Sequence, residues 1–514
     1  MTLDNPLDNP LDKPPNEPPN EPLPPALAAT LVFVASGAVL VLEVVGLRLV
    51  GPYVGVTLQT SSAVIGIALA AIAYGAWLGG WLADRLPPRR LLAPALVIGG
   101  IATVVTLPVV RYAGELLRGS AAGGVLLLTA LAVFVPAVAL SAVTPLVVKL
   151  QLGDLRQTGR VVGKLSSIGT LGGITATLGT GFVLVAALPS SAIVLGLGVL
   201  LALSGVGLGI YLWRAGHTAP AVIAAPPRAR AVAALVGLAG AGLAATAPTP
   251  CDLETAYHCA RIVADGQRPD GRILLLNGAR HSYVDLADPE HLEFEYTQWI
   301  GALVDALPAG PIEALHLGGG GFTMPRYVSA TRPGSRNVVL ELDGDLVALD
   351  RARLGVRSGP DLDIWVGDAR IGLAGQPAGR YDVVVGDAFG HLVIPWHLTT
   401  RELVAEVRRT MRPGGVYALN MIDYPPVRFA RAEVATVGSV FEHVALVAPA
   451  DALAGRTGSN FVLLASDSPL PLDPVRSRLT TGVRVLAGPE LIAFTDGAGI
   501  LTDDYAPVDQ LLVR

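Results

Sequence analysis

Charged residues are scarce in this chain. Of its 514 residues, 15% are Asp, Glu, Lys or Arg and 52% are hydrophobic, and the mean hydropathy is +0.54. Soluble proteins usually carry about 25% charged residues, so the composition is typical of a membrane protein. The net charge is only −5 and no long basic run occurs, which argues against nucleic acid as a partner.

Cysteine is also scarce, and histidine is scattered. The two cysteines, Cys251 and Cys259, allow neither a disulfide framework nor a CxxC metal site, and the eight histidines lack HExxH-type spacing. The sequence therefore predicts no metal. In a straight strand the two cysteines would lie roughly 26 Å apart at about 3.3 Å per residue, so a bridge between them needs a sharp bend. Because disulfides persist in oxidising compartments, bridged and free thiols are alternatives that imply different locations.

The first 25 residues lack an apolar face. The segment MTLDNPLDNPLDKPPNEPPNEPLPP is a Pro- and Asn-rich repeat. It also lacks the basic start and apolar core of a signal peptide. This composition predicts a disordered tail over residues 1–25.

Long apolar runs dominate residues 26–247, which we interpret as a transmembrane helical bundle. Most runs are close to the ~20 residues that cross a bilayer core. The last run is short, and a buried helix of a soluble domain is its alternative. The seven predicted spans are 26–50, 58–82, 91–110, 121–148, 165–188, 190–213 and 231–247.

Basic residues concentrate in alternate loops of this multi-pass bundle. Loops 82–92, 149–164 and 214–230 are rich in Arg and Lys. The positive-inside rule therefore predicts that these loops and the N-terminus are cytoplasmic, in a protein of the cell membrane. Seven spans would put the C-terminal half outside the cytoplasm, whereas six or eight would put it inside.

One carboxylate, Glu43, lies within the first predicted span. A charge in hydrocarbon is costly, so Glu43 should face a partner or a cavity. A proton or cation site is one interpretation, and a structural pair with Arg48 or a neighbouring helix is the other. The segment YGAWLGGWLADRLPPRR resembles a loop of major-facilitator transporters, although close helix packing explains its glycines equally well.

Residues 251–514 alternate strand patterns with helical patterns. This alternation predicts a doubly wound, mainly parallel sheet over 311–514, preceded by a small β segment and connecting helix over 251–310. The predicted strands are 272–277, 313–317, 337–342, 362–366, 381–386, 414–420, 439–447 and 459–465. The predicted helices are 290–306, 322–331, 344–354 and 398–411.

Four successive predicted strands end in glycines or an acidic residue. HLGGGGF follows the first, where glycine permits a tight turn and close approach of a ligand. Glu341 and Asp343 follow about 20 positions later, where a carboxylate can bind ribose hydroxyls. Asp368 and Asp387 end the next two strands. We interpret these ends as a nucleoside site, and a helix cap is the alternative for any single acid, Asp343 especially.

The order of these motifs resembles the spermidine and spermine synthases, which are polyamine aminopropyltransferases. ETAYHCARIV resembles the first strand of the family's small β domain, and LLLNGARHSYVDLADPEHLEFEY resembles LDG..Q....DE..YHE. ALHLGGGGFTMPRYV resembles VL.IGGGDGG..RE, and LELDGDLVALDRA, GDARIGL and YDVVVGDAFG follow in the family's order. The resemblance implies the Rossmann fold of class I S-adenosylmethionine-dependent methyltransferases. The whole chain resembles bacterial proteins that fuse such a domain to a transporter-like bundle.

The resemblance also implies roles for single residues. Asp387 would be the catalytic base, because an ammonium cannot attack until it loses a proton; no metal is needed. The implied cofactor-binding residues are Gly318, Gly319, Gly320, Glu341, Asp343, Asp368 and Ala369. The implied substrate-binding residues are His281, Asp288 and Tyr296.

Departures from the family pattern concern the reaction more than the fold. The aspartate of GGGDGG, which would bind the amine of the aminopropyl group, is Gly321 here. The DP that follows the catalytic aspartate is Gly390-His391. Two carboxylates that a dicationic amine would use are therefore missing.

Three functions fit these observations. The first is a membrane-bound transferase that moves an aminopropyl group from decarboxylated S-adenosylmethionine to an amine such as putrescine, coupled to export through the bundle. The second is a methyltransferase of the same fold that uses S-adenosylmethionine. The third is a non-catalytic domain that senses a nucleoside or polyamine. The expected partners are these small molecules and the lipid bilayer, and the resemblance suggests a homo-oligomer.

Overall fold

The structure is a computed structural model that describes residues 22–56, 58–118, 122–153, 155–215, 227–390 and 393–512. The chain divides into two compact units. The first unit comprises Met1–Val50 and Gln59–Pro248, and the second comprises Gly51–Leu58 and Thr249–Arg514. Most of the predicted disordered tail, residues 1–21, and the predicted departure at His391 lie outside the described residues.

The described part of the first unit is helical. A 3-10 turn, Leu155–Gln157, precedes the sixth helix, and a π-helical turn, Thr180–Leu184, follows it. The helices are α1 (Pro25–Val54), α2 (Leu58–Arg85), α3 (Pro88–Leu116), α4 (Ala122–Ser141), α5 (Val143–Gln151), α6 (Thr158–Gly179), α7 (Val185–Ala187), α8 (Ser190–Arg214) and α9 (Pro227–Thr246).

Six helical segments of the described residues are long and apolar enough to cross a membrane. They are Pro25–Val54, Gln59–Arg85, Pro88–Leu116, Gly123–Gln151, Thr158–Ala187 and Ser190–Arg214. They correspond to the first six predicted spans. The seventh falls on α9, whose apolar part, Ala231–Thr246, is shorter than these six. A seventh crossing and the side of the membrane on which each loop lies stay predictions.

Glycines bring the helices of this unit into backbone contact. A Cβ atom on Gly172 of α6 would lie 2.3 Å from the carbonyl oxygen of Phe33 in α1. One on Gly75 of α2 would lie 2.4 Å from the carbonyl oxygen of Val138 in α4. Any side chain at either position would therefore push the helices apart, which is the role of small residues between membrane helices.

Glu43 is half-buried in α1. The structure gives it no hydrogen bond or ion pair among the described residues, and Arg48 Nε donates to Ser190 Oγ at 3.3 Å. The predicted pair between Glu43 and Arg48 is therefore wrong. A proton or cation site at Glu43 stays a prediction.

The second unit begins with a small antiparallel sheet of four strands in the order β1-β2-β3-β4. The first two strands form a hairpin that pairs Leu253 with Ala260. This hairpin supplies the sharp bend that a disulfide needs, and Cys251 is bonded to Cys259 with their Cα atoms 5.1 Å apart. The strands are β1 (Leu253–Glu254), β2 (Cys259–Ala264), β3 (Gly271–Leu276) and β4 (Ala279–Asp285).

A sheet of eight strands follows, in the order β12-β10-β11-β9-β8-β5-β6-β7. The five strands β5 to β9 pair parallel with one another. β11 pairs antiparallel with both β9 and β10, and β12 pairs antiparallel with β10. The strands are β5 (Glu313–Leu317), β6 (Arg336–Glu341), β7 (Leu362–Val366), β8 (Tyr381–Gly386), β9 (Met411–Asp423), β10 (His443–Pro449), β11 (Ser459–Ser466) and β12 (Val483–Ala487).

Helices pack on this sheet. Central strands such as NVVLE and DVVVG are buried and apolar, as parallel strands covered on both faces must be. The fold class predicted from the sequence, a helical bundle followed by a doubly wound sheet, is confirmed. The helices are α10 (Glu295–Ala306), α11 (Thr323–Thr331), α12 (Gly344–Arg353), α13 (Ala369–Ala374), α14 (Arg401–Thr410), α15 (Arg428–Gly438), α16 (Ala450–Leu453), α17 (Leu472–Ser477), α18 (Pro489–Thr495) and α19 (Val508–Leu511).

The direction of the strand order reverses beside β5. The chain moves from β5 to β6 and β7 on one side, and returns to β8 and β9 on the other. Loops that diverge at such a switch point leave a crevice at the carboxyl ends of the strands. The glycine turn after β5 and Asp387 after β8 both lie at these ends.

Candidate active site

The glycine turn after β5 touches the end of β8. Gly318 has φ +96°, and a Cβ atom there would lie 2.6 Å from the carbonyl oxygen of Asp387. The backbone N–H of Asp387 donates to the carbonyl of Leu317 at 2.9 Å. Only glycine fits this contact in this backbone conformation. The turn therefore fixes the backbone that carries Asp387.

Glu341 is the last residue of β6, and its carboxylate accepts hydrogen bonds from the glycine turn. Its Oε2 accepts the N–H groups of Gly319 at 2.7 Å and Gly320 at 3.3 Å, and its Oε1 accepts the N–H of Asp343 at 2.9 Å. The side chain is 8% exposed. Burial raises the pKa of Glu341 above its usual range, against the opposing effect of these three N–H donors.

Asp343 does not line this site. Its Oδ1 accepts the N–H groups of Asp345 and Leu346 as the N-cap of α12, and its Oδ2 accepts the hydroxyl of Thr255. The residue is 1% exposed and lies outside the lining of the strand-end cavity described below. A cofactor contact at Asp343 therefore stays a prediction, whereas the helix cap, which was its alternative, is present in the structure.

Asp368 and Ala369 lie where β7 passes into α13. Asp368 Oδ1 caps α13 through the N–H groups of Arg370 and Ile371, at 2.9 and 3.2 Å. Its Oδ2 lies 2.9 Å from Nε2 of His397. Only part of its acceptor capacity thus remains for a ligand, although both Asp368 and Ala369 line the cavity at the strand ends.

A cavity of about 250 Å³ lies at these strand ends; we name it the strand-end cavity. Among the predicted cofactor residues it is lined by Gly318, Gly320, Glu341, Asp368 and Ala369. Gly319 is absent from this lining, and its N–H points to Glu341 instead. The structure therefore brings five of the seven predicted residues to one cavity.

The disulfide-bonded hairpin forms another wall of the strand-end cavity. Tyr257 and His258, which lie between the two cysteines, line it together with Asn277 of the β3–β4 turn. Asn277 Oδ1 accepts the N–H of Cys259 at 2.9 Å, and its Nδ2 lies 3.3 Å from His258 Nδ1. The sequence carried no sign of this wall, because the hairpin reaches the cavity only through tertiary folding.

Asp387 is held by two donors. The hydroxyl of Tyr296 donates to Oδ2 at 3.1 Å, and Asn420 Nδ2 donates to Oδ1 at 2.8 Å. Asn420 is oriented in turn by Asn460, whose Nδ2 donates to its Oδ1 at 2.9 Å. Burial raises the pKa of Asp387 to about 6, although both donors favour the ionised form. The carboxyl is therefore a base that is ionised at neutral pH.

A second cavity, of about 360 Å³, lies on the other side of Asp387; we name it the side cavity. His281, Asp387 and Phe389 line both cavities. The predicted substrate residues His281 and Tyr296 belong to the side cavity. Two ligands could therefore meet at one carboxylate.

The charges of the side cavity are mostly negative. Glu293, Glu295 and Asp387 line it, and Arg280 is the single Arg or Lys in its described lining. The Arg280 guanidinium lies 5.2 Å from the ring centre of Phe294. Three carboxylates against one guanidinium favour a cationic ligand.

Asp288, the third predicted substrate residue, lies outside both cavities. It is exposed, and its Oδ1 accepts the N–H of Glu290 in a turn after β4. A substrate contact at Asp288 stays a prediction. Asn420, which the prediction missed, is the last residue of the predicted strand 414–420, so the same rule of strand ends would have found it, although β9 continues to Asp423.

Fold and site together define a Rossmann-type domain in which two small-molecule cavities meet at a carboxylate. No protein-family model matches the chain. A probable spermidine synthase of Corynebacterium glutamicum is 32% identical, and the match covers 49% of this chain and 95% of that protein, with a TM-score of 0.46. The spermidine synthase of Thermotoga maritima is 15% identical over 50% of this chain and 80% of that protein, with a TM-score of 0.33.

A polyamine aminopropyltransferase of Vibrio vulnificus (strain CMCP6) is 29% identical over 136 residues, which are 26% of this chain. The match spans 44% of the length of this curated relative. The identity with the Corynebacterium protein over nearly its whole length shows the family. Through its C-terminal part, this chain belongs to the spermidine synthase family of transferases.

Proposed function

We propose that the protein is a membrane-bound polyamine aminopropyltransferase that uses decarboxylated S-adenosylmethionine and an amine such as putrescine. The observation that carries this proposal is the position of Asp387, a carboxylate with a raised pKa that lines both cavities. A transfer between two bound molecules needs a base where they meet.

In this proposal the strand-end cavity binds the nucleoside. Glu341 would accept hydrogen bonds from the ribose hydroxyls, and Asp368 with Ala369 would contact the adenine. The glycine turn would let the sulfonium end approach the backbone. The sulfonium would then lie beside Asp387, whose negative charge stabilises it.

The side cavity would bind the acceptor amine. Glu293, Glu295 and Asp387 attract a diamine that carries two positive charges. Glu293 and Glu295 would thus supply carboxylates of the kind missing at Gly321 and Gly390. Asp387 takes a proton from the near ammonium, and the free amine then attacks the aminopropyl carbon next to sulfur. The new C–N bond forms as the C–S bond breaks, and methylthioadenosine leaves with the electron pair.

The raised pKa of Asp387 serves this proton transfer. An alkyl ammonium has a pKa of about 10, so transfer to an ordinary carboxylate of pKa near 4 is strongly uphill. Burial brings the pKa of Asp387 to about 6, which reduces the gap and still leaves the carboxylate ionised at neutral pH. Proximity of the two substrates supplies much of the remaining acceleration.

Two labelled donors test the proposal. Full-length protein in detergent is incubated with putrescine and either decarboxylated S-adenosylmethionine labelled in the propyl carbons or S-adenosylmethionine labelled in the methyl group. We expect labelled spermidine and methylthioadenosine from the first donor only. The matched Asp387→Asn protein should bind both substrates and transfer neither label. Binding without turnover in the unaltered protein would instead support a sensing domain.

Methyl transfer is the second candidate, and Gly321 favours it. A Cβ atom on Gly321 would lie 3.0 Å from Cβ of Ser282 and 3.3 Å from Cγ2 of Val284. The Gly321 N–H also donates to Ser282 Oγ at 3.0 Å. These contacts leave little room for the aspartate that would hold the aminopropyl amine. Transfer of the methyl label with release of S-adenosylhomocysteine would establish this alternative.

A further inference from the structure

The first unit contains a cavity of about 990 Å³ among α1, α2, α5 and α6. This volume is at the upper end of the ~300–1,000 Å³ of small-molecule sites. Its walls are apolar side chains such as Leu40, Ile72 and Val148. Small residues, including Gly80 and Gly173, line the rest and leave the space open.

The cavity opens sideways along α6. Ile174 and Leu178 line it, and they are 52% and 53% exposed. The helix pair that contains them, Thr158–Ala187, is the least buried of the six long apolar segments. An apolar chain could therefore enter from the hydrocarbon of the bilayer without crossing a polar barrier.

One end of the cavity is charged. Lys149 and Asp84 line that end, and Nζ of Lys149 lies 2.8 Å from Oδ1 of Asp84. Arg85 follows Asp84 at the end of α2, with its guanidinium 4.0 Å from the ring centre of Trp81. The exposed Arg160 and Lys164 lie two positions before and after the lining residue Val162, on the opposite face of α6. Since Lys149 neutralises Asp84, these three residues outside the lining give the surroundings of this end a positive charge.

These features together suit an anionic amphiphile. Apolar walls favour an acyl chain, and the basic side chains around the charged end attract a phosphate. A polyamine has the opposite chemistry, because the one carboxylate among the described lining residues is neutralised by Lys149 and the charges nearby are basic. The cavity is therefore unsuited to polyamine export.

We propose that this cavity binds one anionic phospholipid of the bilayer. One acyl chain lies among α1, α2, α5 and α6, and the phosphate lies at the Lys149 end. The proposal does not depend on the reaction of the second unit.

Gly80 and Gly66 make a matched pair of test positions on α2. Gly80 lines the cavity and Gly66 does not. A Cβ atom at either position would meet no other atom within 4 Å. Gly80→Leu therefore fills the cavity, and Gly66→Leu adds the same side chain to the same helix on an exposed surface. Lys149→Gln removes the cationic group at the charged end.

Native mass spectrometry of the full chain in detergent, titrated with phosphatidylglycerol or phosphatidylcholine, measures binding. We expect one phosphatidylglycerol to bind the unaltered protein and Gly66→Leu equally, in preference to phosphatidylcholine. Gly80→Leu should weaken binding by up to about fifteenfold, since displacing two methylenes at about fourfold each has that effect in water-to-apolar transfer. Lys149→Gln should remove the preference for phosphatidylglycerol. Equal binding by Gly80→Leu and Gly66→Leu, or displacement of the lipid by excess spermidine, would overturn the proposal.

A second measurement needs no variant. Phosphatidylglycerol with a diazirine in one acyl chain is cross-linked to the unaltered protein in nanodiscs, and the labelled peptides are mapped. Labels concentrated on the lining residues of α1, α2, α5 and α6 are expected. Labels spread evenly over the outward faces of all six long helices would mean ordinary bilayer contact and would refute a specific site.

Discussion

At the scale of single residues, Asp387 should set the dependence of activity on pH. The carboxylate must be ionised to accept a proton, and burial raises its pKa to about 6. Activity should therefore fall as pH drops below about 6, by roughly tenfold for each further pH unit. Asp387→Asn should lower kcat by roughly 10²–10⁴-fold. Initial rates from pH 5 to 8 check both, and an acid limb near pH 4 would contradict the assignment.

Tyr296 should affect the pH at which activity is lost on the acid side of the profile. Its hydroxyl donates to Asp387 at 3.1 Å and lowers the pKa of Asp387 from the still higher value that burial alone would give. Tyr296→Phe removes this bond, so the acid limb of the kcat profile should move to higher pH. Because the ring is buried against other apolar groups, phenylalanine should keep the packing, and an unchanged melting temperature would serve as the control. A shift to lower pH would disprove this role.

Much of the candidate site was predictable at this scale, because parallel strands deliver their end residues to one edge. Glu341, Asp368 and Asp387 follow from that rule alone. The rule does not predict Glu293 and Asn460, because Glu293 lies in a connecting segment and Asn460 lies in an antiparallel strand. Asn460 reaches the site only because β11 pairs with β9, with Asn460 opposite Ile422. The register of that pairing cannot be predicted from the sequence of either strand alone.

At the scale of elements, the disulfide should hold the hairpin wall of the strand-end cavity. The bridge joins two residues that are eight positions apart, and the loop that it closes contains Tyr257 and His258. Closing a loop of this length stabilises the folded state by about 2–3 kcal/mol, because the bridge lowers the conformational entropy of the unfolded chain. The double variant Cys251→Ser, Cys259→Ser should therefore bind S-adenosyl nucleosides more weakly, measured by calorimetry.

Reductant supplies the control for the hairpin. It should weaken nucleoside binding by the unaltered protein to the level of the double serine variant, and it should leave that variant unchanged. If reduced and oxidised protein bind the nucleoside equally, the hairpin does not need the bridge. Assays of this protein should accordingly omit thiol reagents.

The parallel strands were predicted well, whereas other elements were missed, among them the 11-residue helix α15 and the 7-residue strand β4. β5 to β8 agree with the predicted strands to within a residue, because buried parallel strands are unbroken apolar runs between turn residues. β1, with two residues, and β12, with the sequence VRVLA, have no comparable pattern. They form because neighbouring strands offer them hydrogen-bonding edges.

At the scale of the whole molecule, the disulfide bears on the side of the membrane. Disulfides persist outside the reducing cytoplasm, and a crossing by α9 would be the seventh needed to put the second unit there. We expect a membrane-impermeant maleimide to label Cys251 and Cys259 in intact cells only after treatment with an impermeant reductant. Labelling that requires opened cells would mean six crossings and a cytoplasmic second unit.

These outcomes also discriminate between the proposed activities. A cytoplasmic second unit has direct access to S-adenosyl nucleosides, and aminopropyl transfer then stands as proposed. An outward-facing unit meets few such nucleosides, and binding of an external ligand becomes the stronger hypothesis. The Asp387→Asn comparison in purified protein remains valid in either case, because the nucleoside is added in the assay and does not have to come from the cell.

The contact between Gly318 and the backbone of Asp387 has a consequence for inheritance. Because no side chain fits at position 318 in this backbone conformation, the glycine is required by the backbone at Asp387 and not by its carboxylate. A lineage that abandoned the transfer reaction could lose the carboxylate at 387 in one step and still keep the glycine for folding. Descendants that have become receptors should therefore retain the turn long after the base has gone.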